Sequence, residues 1–597
     1  MSFKGGFSLK FAFSAKYKCL LVVLLILSLL IPLLNLGCTA FALKQDETNF
    51  PEDNTDAYPD THSKIEEKTL EELERERLEQ LRQEEEERRK EEEKQLEERR
   101  LREEALREEL GPFFVPLPPL EQEDNPPVKA KGIYLTGNTV GLQHRFESLM
   151  EMVDTTELNA MVIDVKNDHG VMSYRSEIEI VQEAGANRSV PIKNISEVME
   201  ELKKRDIYPI ARVVVFKDPN LPEKRPEWAI QRNGGGVWRD NKRVAWVNPY
   251  EKKVWDYNIA IAKEAALVGF REIQFDYVRF PENAHRVDRE AYYPGADGKP
   301  KDVAIQDFLV YAREQLEEYN VHIAADVFGV IATSWGDSDR IGQTWEKIAP
   351  CVEYSCPMIY PSHYSPGYFG FPVPDANPVG TVRHALTDAV QRNAPIENPG
   401  IIRPWLQSFT ATWIRGHIRY GPEEVRAQID TALELGIDEF FIWNAVNRYY
   451  PESFLTMEES REREEKARLA REEKGHDVLG RTTSEALELF MDAVRRKNWR
   501  EAYVLQGTDF AVNHDDYKNW VEKWTGRLSS YEAAYNSEDE DKTIYGVNYS
   551  ITAGGEEINL EGEIFEVYKE NNIWKVKPSE KFTELLTCMP EPQENAQ

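Results

Sequence analysis

Cysteines are scarce in this chain, and their positions argue against a fold held together by disulfides. Only five occur in 597 residues, and Cys19 and Cys38 lie in an apolar N-terminal stretch. Three remain for the rest of the chain: Cys351, Cys356 and Cys588. If the segment from Cys351 to Cys356 is extended, a rise of ~3.3 Å per residue separates the two Cα atoms by roughly 16 Å, whereas a disulfide spans at most ~7 Å. We expect buried or inert thiols.

Basic residues are also fewer than acidic ones, with 74 Lys and Arg against 106 Asp and Glu. The formal net charge is -32. A protein that neutralises phosphates needs a basic face, and none of the stretches that look folded supplies one. Nucleic acid is therefore excluded as a partner.

Motifs of several other enzyme classes are missing. No glycine-rich phosphate loop follows the first predicted strand, and the P-loop, the zinc-protease helix motif and the serine nucleophile elbow do not occur. His169 and His363 have no other histidine at ligand spacing. We expect neither a required metal nor a redox cofactor.

The first 42 residues have the features of an export signal. Lys10, Lys16 and Lys18 precede the apolar run Cys19–Leu34, and Ala40-Phe41-Ala42 has the small-x-small form of a signal-peptidase site. If the apolar stretch extends to Ala42, it is just long enough to cross a ~30 Å hydrocarbon core as an uncleaved anchor. Lipidation at Cys38 fits less well because Asn35 stands where an apolar residue is wanted. We predict a secreted or membrane-anchored protein on the extracytoplasmic face of a bacterial envelope.

Residues 43–127 are predicted to form a charged helical spacer and a stiff linker. The stretch Glu66–Leu110 is almost wholly Glu, Arg, Lys, Gln and Leu, which are strong helix formers whose charges pair at i,i+4. Its leucines are too sparse for a continuous seam, so a solvated single helix is favoured over a coiled coil. Gly111 ends this helix, and the six prolines from Pro112 to Pro127 form a stiff linker that cannot continue it.

Residues 128–455 show short apolar runs that alternate with helical stretches, which is typical of repeated βα units and a parallel sheet. Eight runs suit a closed (β/α)8 barrel better than an open doubly wound sheet. The runs are 132–135, 160–165, 209–216, 272–278, 322–328, 354–360, 402–409 and 439–444.

The C-terminal part is predicted to be a smaller α+β domain. A charged helical linker at 456–480 leads to residues 481–582, where Ser484–Leu505 reads as an amphipathic helix and later segments alternate as strands. This pattern resembles the superfamily named for nuclear transport factor two, the NTF2-like domains. An accessory role is expected, with an envelope protein as partner, and residues 583–597 are expected to be a disordered tail.

The alternation of side chains along the barrel strands indicates which residues face the interior. In the fourth run Ile273, Phe275 and Tyr277 are apolar, so Asp276 is predicted to point inward near the strand end. The same reasoning turns Asp326 inward on the fifth run. The same alternation predicts that six other side chains point inward: Asp164, Lys166, Arg212, Arg403, Trp405 and Gln407.

Asp276 and Asp326 are the leading catalytic pair. Barrel active sites lie at the C-terminal ends of the strands, where a buried carboxylate is costly unless it has a function or a partner. Neighbouring strands are ~4.8 Å apart, so these two carboxylates can approach the ~5–5.5 Å of a retaining glycosidase. The alternative is that each forms a structural ion pair with Arg212, Lys166, Arg279 or Arg403. Asp164 and Asp168 are reserve carboxylates.

Aromatic residues follow several predicted strands at the same mouth, and sugar rings stack on aromatic planes while their hydroxyls suit polar side chains. A polysaccharide is the predicted substrate. The predicted substrate-binding residues are Asp164, Lys166, Arg212, Trp246, Arg279, Tyr360, His363, Trp405, Gln407 and Trp443. Trp228 and Trp238 are in the same loop as Trp246.

The segments KGIYLTGN, VIDVKND, GFREIQFDYVRFP, DVFG, MIYPSHY and WLQSF, in this order, resemble a family of bacterial glycoside-hydrolase-like barrels, DUF4015, over roughly Val128–Pro451. The family is more distantly similar to the α-amylase-like barrels. The resemblance implies hydrolysis of glycans, with Asp276 at the position of the strand-four nucleophile. Strand five departs from the α-amylase pattern, because its acid/base there is a glutamate and here the position is Asp326. Glu353, before strand six, is a weak substitute.

Two other functions stay open from the sequence. One is a non-catalytic protein that binds cell-wall or capsular polysaccharide, with the cleft but without the acid. The other is a structural envelope protein in which the charged helix and the C-terminal domain recruit partners.

Overall fold

The computed structural model describes residues 70–473, 475–506, 514–539, 542–553 and 556–587. The predicted export signal and Cys588 lie outside them. The charged stretch forms one helix of 41 residues, α1 (Leu70–Leu110), in which Leu78, Leu81, Leu96 and Leu101 are all more than half exposed. Among the described residues, no helix combines the length and the apolar character needed to cross a membrane.

Eight parallel strands form the barrel: β1 (Lys131–Leu135), β2 (Ala160–Lys166), β3 (Tyr208–Val214), β4 (Glu272–Asp276), β5 (His322–Phe328), β6 (Tyr354–Ile359), β7 (Trp405–Gln407) and β8 (Phe440–Trp443). Each pairs with its neighbour in sequence, and β8 pairs with β1 to close the sheet. A short piece, Ile401–Ile402, also pairs with β6. The break before β7 contains Pro404, which has no N–H to donate to a sheet. The closed barrel confirms the predicted fold class.

Helices cover the outside of the barrel. Those of seven residues or more are α2 (Gln143–Asp154), α3 (Ile195–Lys204), α4 (Lys252–Leu267), α5 (Ala284–Glu290), α6 (Lys301–Leu316), α7 (Pro378–Asn393) and α8 (Pro422–Glu434). Shorter ones are Gly137–Val140, Glu179–Glu183, Leu221–Lys224 and Trp345–Ile348. The main apolar core lies between the strands and these helices, and it includes Ile273 and Phe275 of β4. A separate buried cluster fills the barrel, with Tyr134, Tyr354, Trp405 and Phe441 among its members.

Register places most of the predicted inward residues as expected. Asp164 of β2 is opposite Arg212 of β3, and Arg212 is opposite Gln274 of β4. All three belong to the barrel interior. The pairing Phe275–Ala325 brings the next residues along, Asp276 and Asp326, side by side on adjacent strands.

Lys166 is an exception, and its prediction as an inward, substrate-binding residue is wrong. The pairing of β2 with β3 slips between Asp164 and Lys166, because Asp164 pairs with Arg212 and Lys166 with the next residue, Val213. Such a bulge inserts one residue and reverses the facing of the residues after it. Lys166 therefore points to the helix layer, where its Nζ donates to Asp218 at 3.0 Å and lies over the Tyr257 ring of α4.

Helix α9 (Met457–Glu472) leads to the C-terminal domain, which contains α10 (Thr483–Arg496), α11 (Trp499–Leu505), α12 (His514–Val521) and α13 (Glu580–Thr587). Its antiparallel sheet has the order β9 (Arg527–Asp539), β10 (Lys542–Ala553), β11 (Glu556–Glu570) and β12 (Ile573–Lys577). This is the predicted α+β class. Helix α13 contradicts a disordered tail from residue 583, because Phe582 and Leu586 are buried in the core of this domain.

A partly buried ion pair joins the C-terminal domain to the barrel. Arg500 of α11 donates to the Asp388 carboxylate of α7 at 2.5 Å and to the Thr333 carbonyl at 2.6 Å. Beside it the rings of Trp335 and Tyr503 meet edge to face, with centroids 5.6 Å apart. The two predicted thiols of the barrel, Cys351 and Cys356, are free and buried.

Candidate active site

Arg212 is the central charge of the barrel mouth. Its Nη1 donates to Asp164 Oδ1 at 2.6 Å and its Nε to Asp276 Oδ2 at 2.9 Å, while Nη2 also contacts Asp276. Burial opposes the charge on Arg212, but Asp276 and Asp164 outweigh that cost and raise its pKa further. One guanidinium thus links two carboxylates on two different strands, and the whole group is nearly inaccessible.

Asp164 has a second partner in Tyr134 of β1, whose hydroxyl donates to Asp164 Oδ2 at 2.7 Å. Burial raises the pKa of Asp164, and Arg212 and Tyr134 offset only part of this effect. The Tyr134 ring stacks on Trp443 of β8 with centroids 4.0 Å apart. Both rings also have their centroids 5.4 Å from the Arg212 guanidinium, so aromatic faces support the charge from one side.

Asp326 has very different surroundings from its neighbour Asp276. Only 2% of it is exposed, and its Oδ1 accepts a hydrogen bond from the indole N–H of Trp405 at 2.6 Å. Burial and then the charge of Asp276 raise the pKa of Asp326 well above the ordinary range of an aspartate. Arg212 acts in the opposite direction but does not reverse the shift. The surroundings of Asp326 therefore favour its protonated form, whereas Asp276 is bound by the Arg212 guanidinium.

The turn after β4 fixes Asp276. Tyr277 has φ = 49°, a left-handed conformation that a bulky side chain seldom adopts. This turn directs the Tyr277 N–H to Asp276 Oδ1 at 2.5 Å. Backbone strain of this kind is retained where surrounding structure imposes it, and it recurs at functional sites. The turn also corrects the prediction that Tyr277 faces the helices, because the strand ends at Asp276 and the Tyr277 side chain enters the mouth.

Two adjacent cavities form the cleft across the mouth. One, of about 440 Å³, is lined by Asp276, Arg279, Glu282, Tyr360 and His363 among others. The other, of about 540 Å³, is lined by Tyr134, Asn138, Asp164, Asp168 and His169 among others. Arg212, Tyr277 and Trp443 line both cavities and therefore mark the middle of the cleft.

Tyr360 provides a free hydroxyl at the cleft. Among the described residues its buried Oη has no hydrogen-bond partner. Burial, and then the charges of Asp326 and Asp276, raise the pKa of Tyr360, so the group stays protonated and close to both acids. A buried hydroxyl without a partner is costly, and a ligand hydroxyl in the cleft can satisfy it.

Seven of the residues predicted for the site line the cleft. They are Asp164, Arg212, Asp276, Arg279, Tyr360, His363 and Trp443. The reserve Asp168 also lines it, and its Oδ2 accepts from Lys217 at 2.8 Å.

Four predicted residues lie behind this lining instead. Trp405 supports Asp326 as described, and Gln407 binds the Ser362 N–H and Asp375, which holds the loop that carries His363. Trp246 is 3% exposed and packs behind Tyr277 and Arg279. Asp326 itself lines neither cavity. Loop tryptophans are as readily packing residues as binding residues, and Trp228 and Trp238 are likewise buried.

Arg403, a predicted ion-pair partner of the acids, and Glu353, the weak substitute for Asp326, have other roles. Arg403 donates to both oxygens of Glu272 at 2.9 Å and to Glu439 at 2.7 Å, at the opposite end of the barrel from the cleft. Glu353 accepts from Arg313 at 2.6 Å and from the Ile323 N–H at the start of β5, so it is no substitute for Asp326.

Sequence reasoning missed several lining residues, among them Tyr134, Tyr277 and Glu282. Alternation along β1 contained a signal for Tyr134, since it shares the facing of the interior residues of that strand. Tyr277 gave no such signal because its position depends on a left-handed turn. Glu282 comes directly after the conspicuous DYVRFP segment, and its Oε1 accepts from Arg279 at 2.7 Å. Among the described residues, no group of three or more histidine, cysteine or acidic side chains is arranged to hold a metal ion.

Comparison with solved structures gives several similar proteins. A hypothetical protein from Ruminiclostridium thermocellum is 44% identical over 33% of this chain and 97% of its own, with a TM-score of 0.30. The glycoside hydrolase domain of PgaB (BpsB) from Bordetella bronchiseptica is 13% identical over 53% of this chain and 94% of its own, with a TM-score of 0.40. The α-galactosidase TtGalA from Thermus thermophilus is 14% identical over 59% and 66%, with a TM-score of 0.35.

A comparison with curated proteins finds no match. Residues 132–449, from the first strand of the barrel to the loop after the last, match the family DUF4015, whose description is "putative glycosyl hydrolase domain". Because this match covers more than half of the chain, the protein belongs to that family and its barrel is a glycoside hydrolase domain.

Proposed function

We propose that the protein is an exported glycosidase that cleaves a polysaccharide with retention of configuration, with Asp276 as nucleophile and Asp326 as acid/base. The observation that carries this proposal is the contrast between two adjacent acids. Asp276 lines the cleft and is bound by Arg212, while burial and the charge of Asp276 raise the pKa of Asp326. Two carboxyl groups whose surroundings drive their protonation states apart are the arrangement that acid/base assignments require.

In the proposed reaction the Asp276 carboxylate attacks the anomeric carbon and Asp326 gives its proton to the departing glycosidic oxygen. The resulting glycosyl ester on Asp276 is then hydrolysed by a water that returns a proton to Asp326. Because Asp326 is so little exposed, the glycosidic oxygen has to settle deeply beside Asp276. Tyr360 is placed to donate a hydrogen bond to the sugar as it does so, and Arg212 fixes the orientation of the nucleophile.

The shape of the cleft supports a polymer rather than a small glycoside. Its two cavities continue on either side of Arg212, Tyr277 and Trp443, which leaves room for sugar units on both sides of Asp276. Trp443 is only partly buried and lines both cavities, so its indole offers an apolar surface to a sugar ring. Export is inferred from the features of residues 1–42, and such a substrate would be met outside the cell.

Chemical rescue tests both roles. We expect Asp276→Gly and Asp326→Gly to lose hydrolysis of glycans found active in a panel screen. Azide should then restore turnover of Asp276→Gly with a glycosyl azide of inverted configuration, because the anion replaces the missing nucleophile. For Asp326→Gly the azide product should keep the configuration of the substrate. Product anomers followed by NMR distinguish the cases, and activity of both variants equal to that of the parent would refute the assignment.

The deep burial of Asp326 also favours a second candidate, a barrel that binds glycans without cleaving them. In that case the Asp164–Arg212–Asp276 group is a structural network and the cleft a binding groove. Asp276→Asn then distinguishes the two functions. An enzyme loses turnover and still binds its glycan, whereas a binding protein has no turnover to lose.

A further inference from the structure

A third cavity lies beside the cleft, and the proposed reaction makes no use of it. It measures about 730 Å³ and is bounded by the beginning of α2, by residues 408–410 and 420, and by residues 444 and 446–450. We call it the side cavity. The loop after β8 separates it from the cleft, since Ala445 lines the cleft while Asn444 and Val446 line the side cavity.

The charge of the side cavity is opposite to that of the protein. Its lining includes His144, Arg145 and Arg448 but no acidic side chain, although the whole chain carries a net charge of -32. Among the residues that the structure describes, no ion pair involves Arg145 or Arg448. Arg145 uses one nitrogen to bind the carbonyls of Val446 and Asn447, which holds its guanidinium at the wall.

The start of α2 adds to this positive potential. The residue before the helix, Leu142, offers no side-chain hydrogen bond to its first N–H groups, and the first turn contains no acidic residue. Instead His144 and Arg145 occupy that turn. Cations are unfavourable next to the positive end of a helix dipole, whereas an anion is favourable there. A bound anion would therefore be favoured by the nearby helix start, although Leu142 and Gln143 do not line the side cavity, and it would neutralise both arginines.

The side cavity also has an aromatic rim suited to a sugar. Phe409 lines it and stacks on Trp413 at a centroid distance of 6.1 Å and an interplanar angle of 17°. Trp413 is 67% exposed, which is unusual for so large an apolar side chain. Phe409 also contacts the rings of Tyr360 and His363, both of which line the cleft. One carbohydrate chain can thus touch both sites.

We propose that the side cavity is an outer subsite that binds an anionic group, a carboxylate or a phosphate, on the glycan whose scissile bond lies in the cleft. Arg145 and Arg448 neutralise the anion, and Trp413 with Phe409 stacks against the sugar that carries it. This inference rests on the proposed function, because it assumes that a glycan occupies the cleft. It narrows the substrate class from polysaccharides in general to charged ones.

Binding can be measured apart from hydrolysis with the full chain carrying Asp276→Asn. The probes are polygalacturonate for carboxylates, glycerol-phosphate teichoic acid for phosphates, and a neutral glucan, compared by affinity electrophoresis. We expect at least one anionic polymer to bind about tenfold or more tightly than the glucan, with an affinity that falls as salt is added. Adding Arg448→Glu or Arg145→Ala should remove most of that preference, a loss of about tenfold.

Two exposed arginines elsewhere on the barrel provide matched controls for net charge. Arg289→Glu corresponds to Arg448→Glu, and Arg232→Ala corresponds to Arg145→Ala; neither control should change the preference. The proposal is overturned if none of the anionic polymers binds more tightly than the glucan, or if the control variants weaken binding as much as the side-cavity variants. Tight anionic binding without any hydrolysis by the parent would instead refute the proposed enzyme and leave the subsite standing.

Discussion

At the scale of single residues, Asp326 is a buried acid whose surroundings make its ionisation costly in free energy. Its carboxyl group is buried in the barrel next to Asp276, and the Trp405 N–H is the partner of one oxygen. A hydrophobic or amide side chain at this position would avoid the cost of charging a buried acid. That an acid occupies it suggests a function that needs the proton.

The raised pKa of Asp326 predicts a pH-dependent cost in stability. Below the ordinary aspartate pKa of ~3.9 both folded and unfolded states are protonated. As pH rises above this value, the unfolded chain ionises first. The free energy of unfolding then falls by ~1.4 kcal/mol per pH unit until the pH passes the raised pKa of Asp326 in the folded state. We expect Asp326→Asn to be more stable than the parent at neutral pH, with the difference vanishing in acid.

Urea unfolding at a series of pH values measures this difference. The control is Glu282→Gln, which removes a carboxylate whose side chain is 66% exposed and should give no such trend. A difference between Asp326→Asn and the parent that stays constant with pH would contradict the assigned protonation state.

At the scale of elements, the two ends of the barrel use charge differently. At the mouth, the two carboxylates that Arg212 binds lie at the edge of a cleft. At the other end Arg403, Glu272 and Glu439 form a buried group, with the guanidinium 3.5 Å from the Tyr354 ring centroid. Burial raises the pKa of both glutamates, and Arg403 counters it. This second group closes the barrel and has no access to substrate.

Removing Arg403 should therefore lower the free energy of unfolding without affecting the catalytic residues. Arg403→Met leaves Glu272 and Glu439 buried without their counter-charge, and we expect a loss of about 3–5 kcal/mol in the free energy of unfolding. Replacing all three residues with apolar side chains of similar volume should recover most of that loss. Denaturant titration provides the measurement. A single-variant loss below about 1 kcal/mol would mean that the group is better hydrated than its burial indicates.

At the scale of the whole molecule, the C-terminal domain is joined to the barrel by more than its linker. Asp388 is buried on α7, and burial raises its pKa, an effect that Arg500 of the other domain partly offsets. The domains thus share a charge pair that neither can satisfy alone. This contact involves α7 and Thr333, on the outside of the barrel strands.

We predict that Arg500→Ala weakens this docking by about 2–5 kcal/mol, since it leaves the Asp388 carboxylate buried without its partner. In calorimetry the C-terminal domain should then unfold separately from the barrel, at a lower temperature. Arg496→Ala is the control, because that arginine pairs with Asp492 of its own helix α10. An unchanged unfolding profile for Arg500→Ala, or an equal change for the control, would contradict the prediction.

Local sequence patterns were sufficient to predict the barrel and the identity of its two central acids. Eight apolar runs marked the strands, and strict alternation placed Asp164, Arg212, Asp276 and Asp326 inside, because a strand has a fixed side-chain period of two. The places where that period breaks were set by tertiary contacts instead. The bulge that turns Lys166 outward, the left-handed turn that brings Tyr277 into the mouth, and the pairing of Arg212 with two acids and of Arg403 with two others all depend on neighbouring strands, which no single segment of sequence contains.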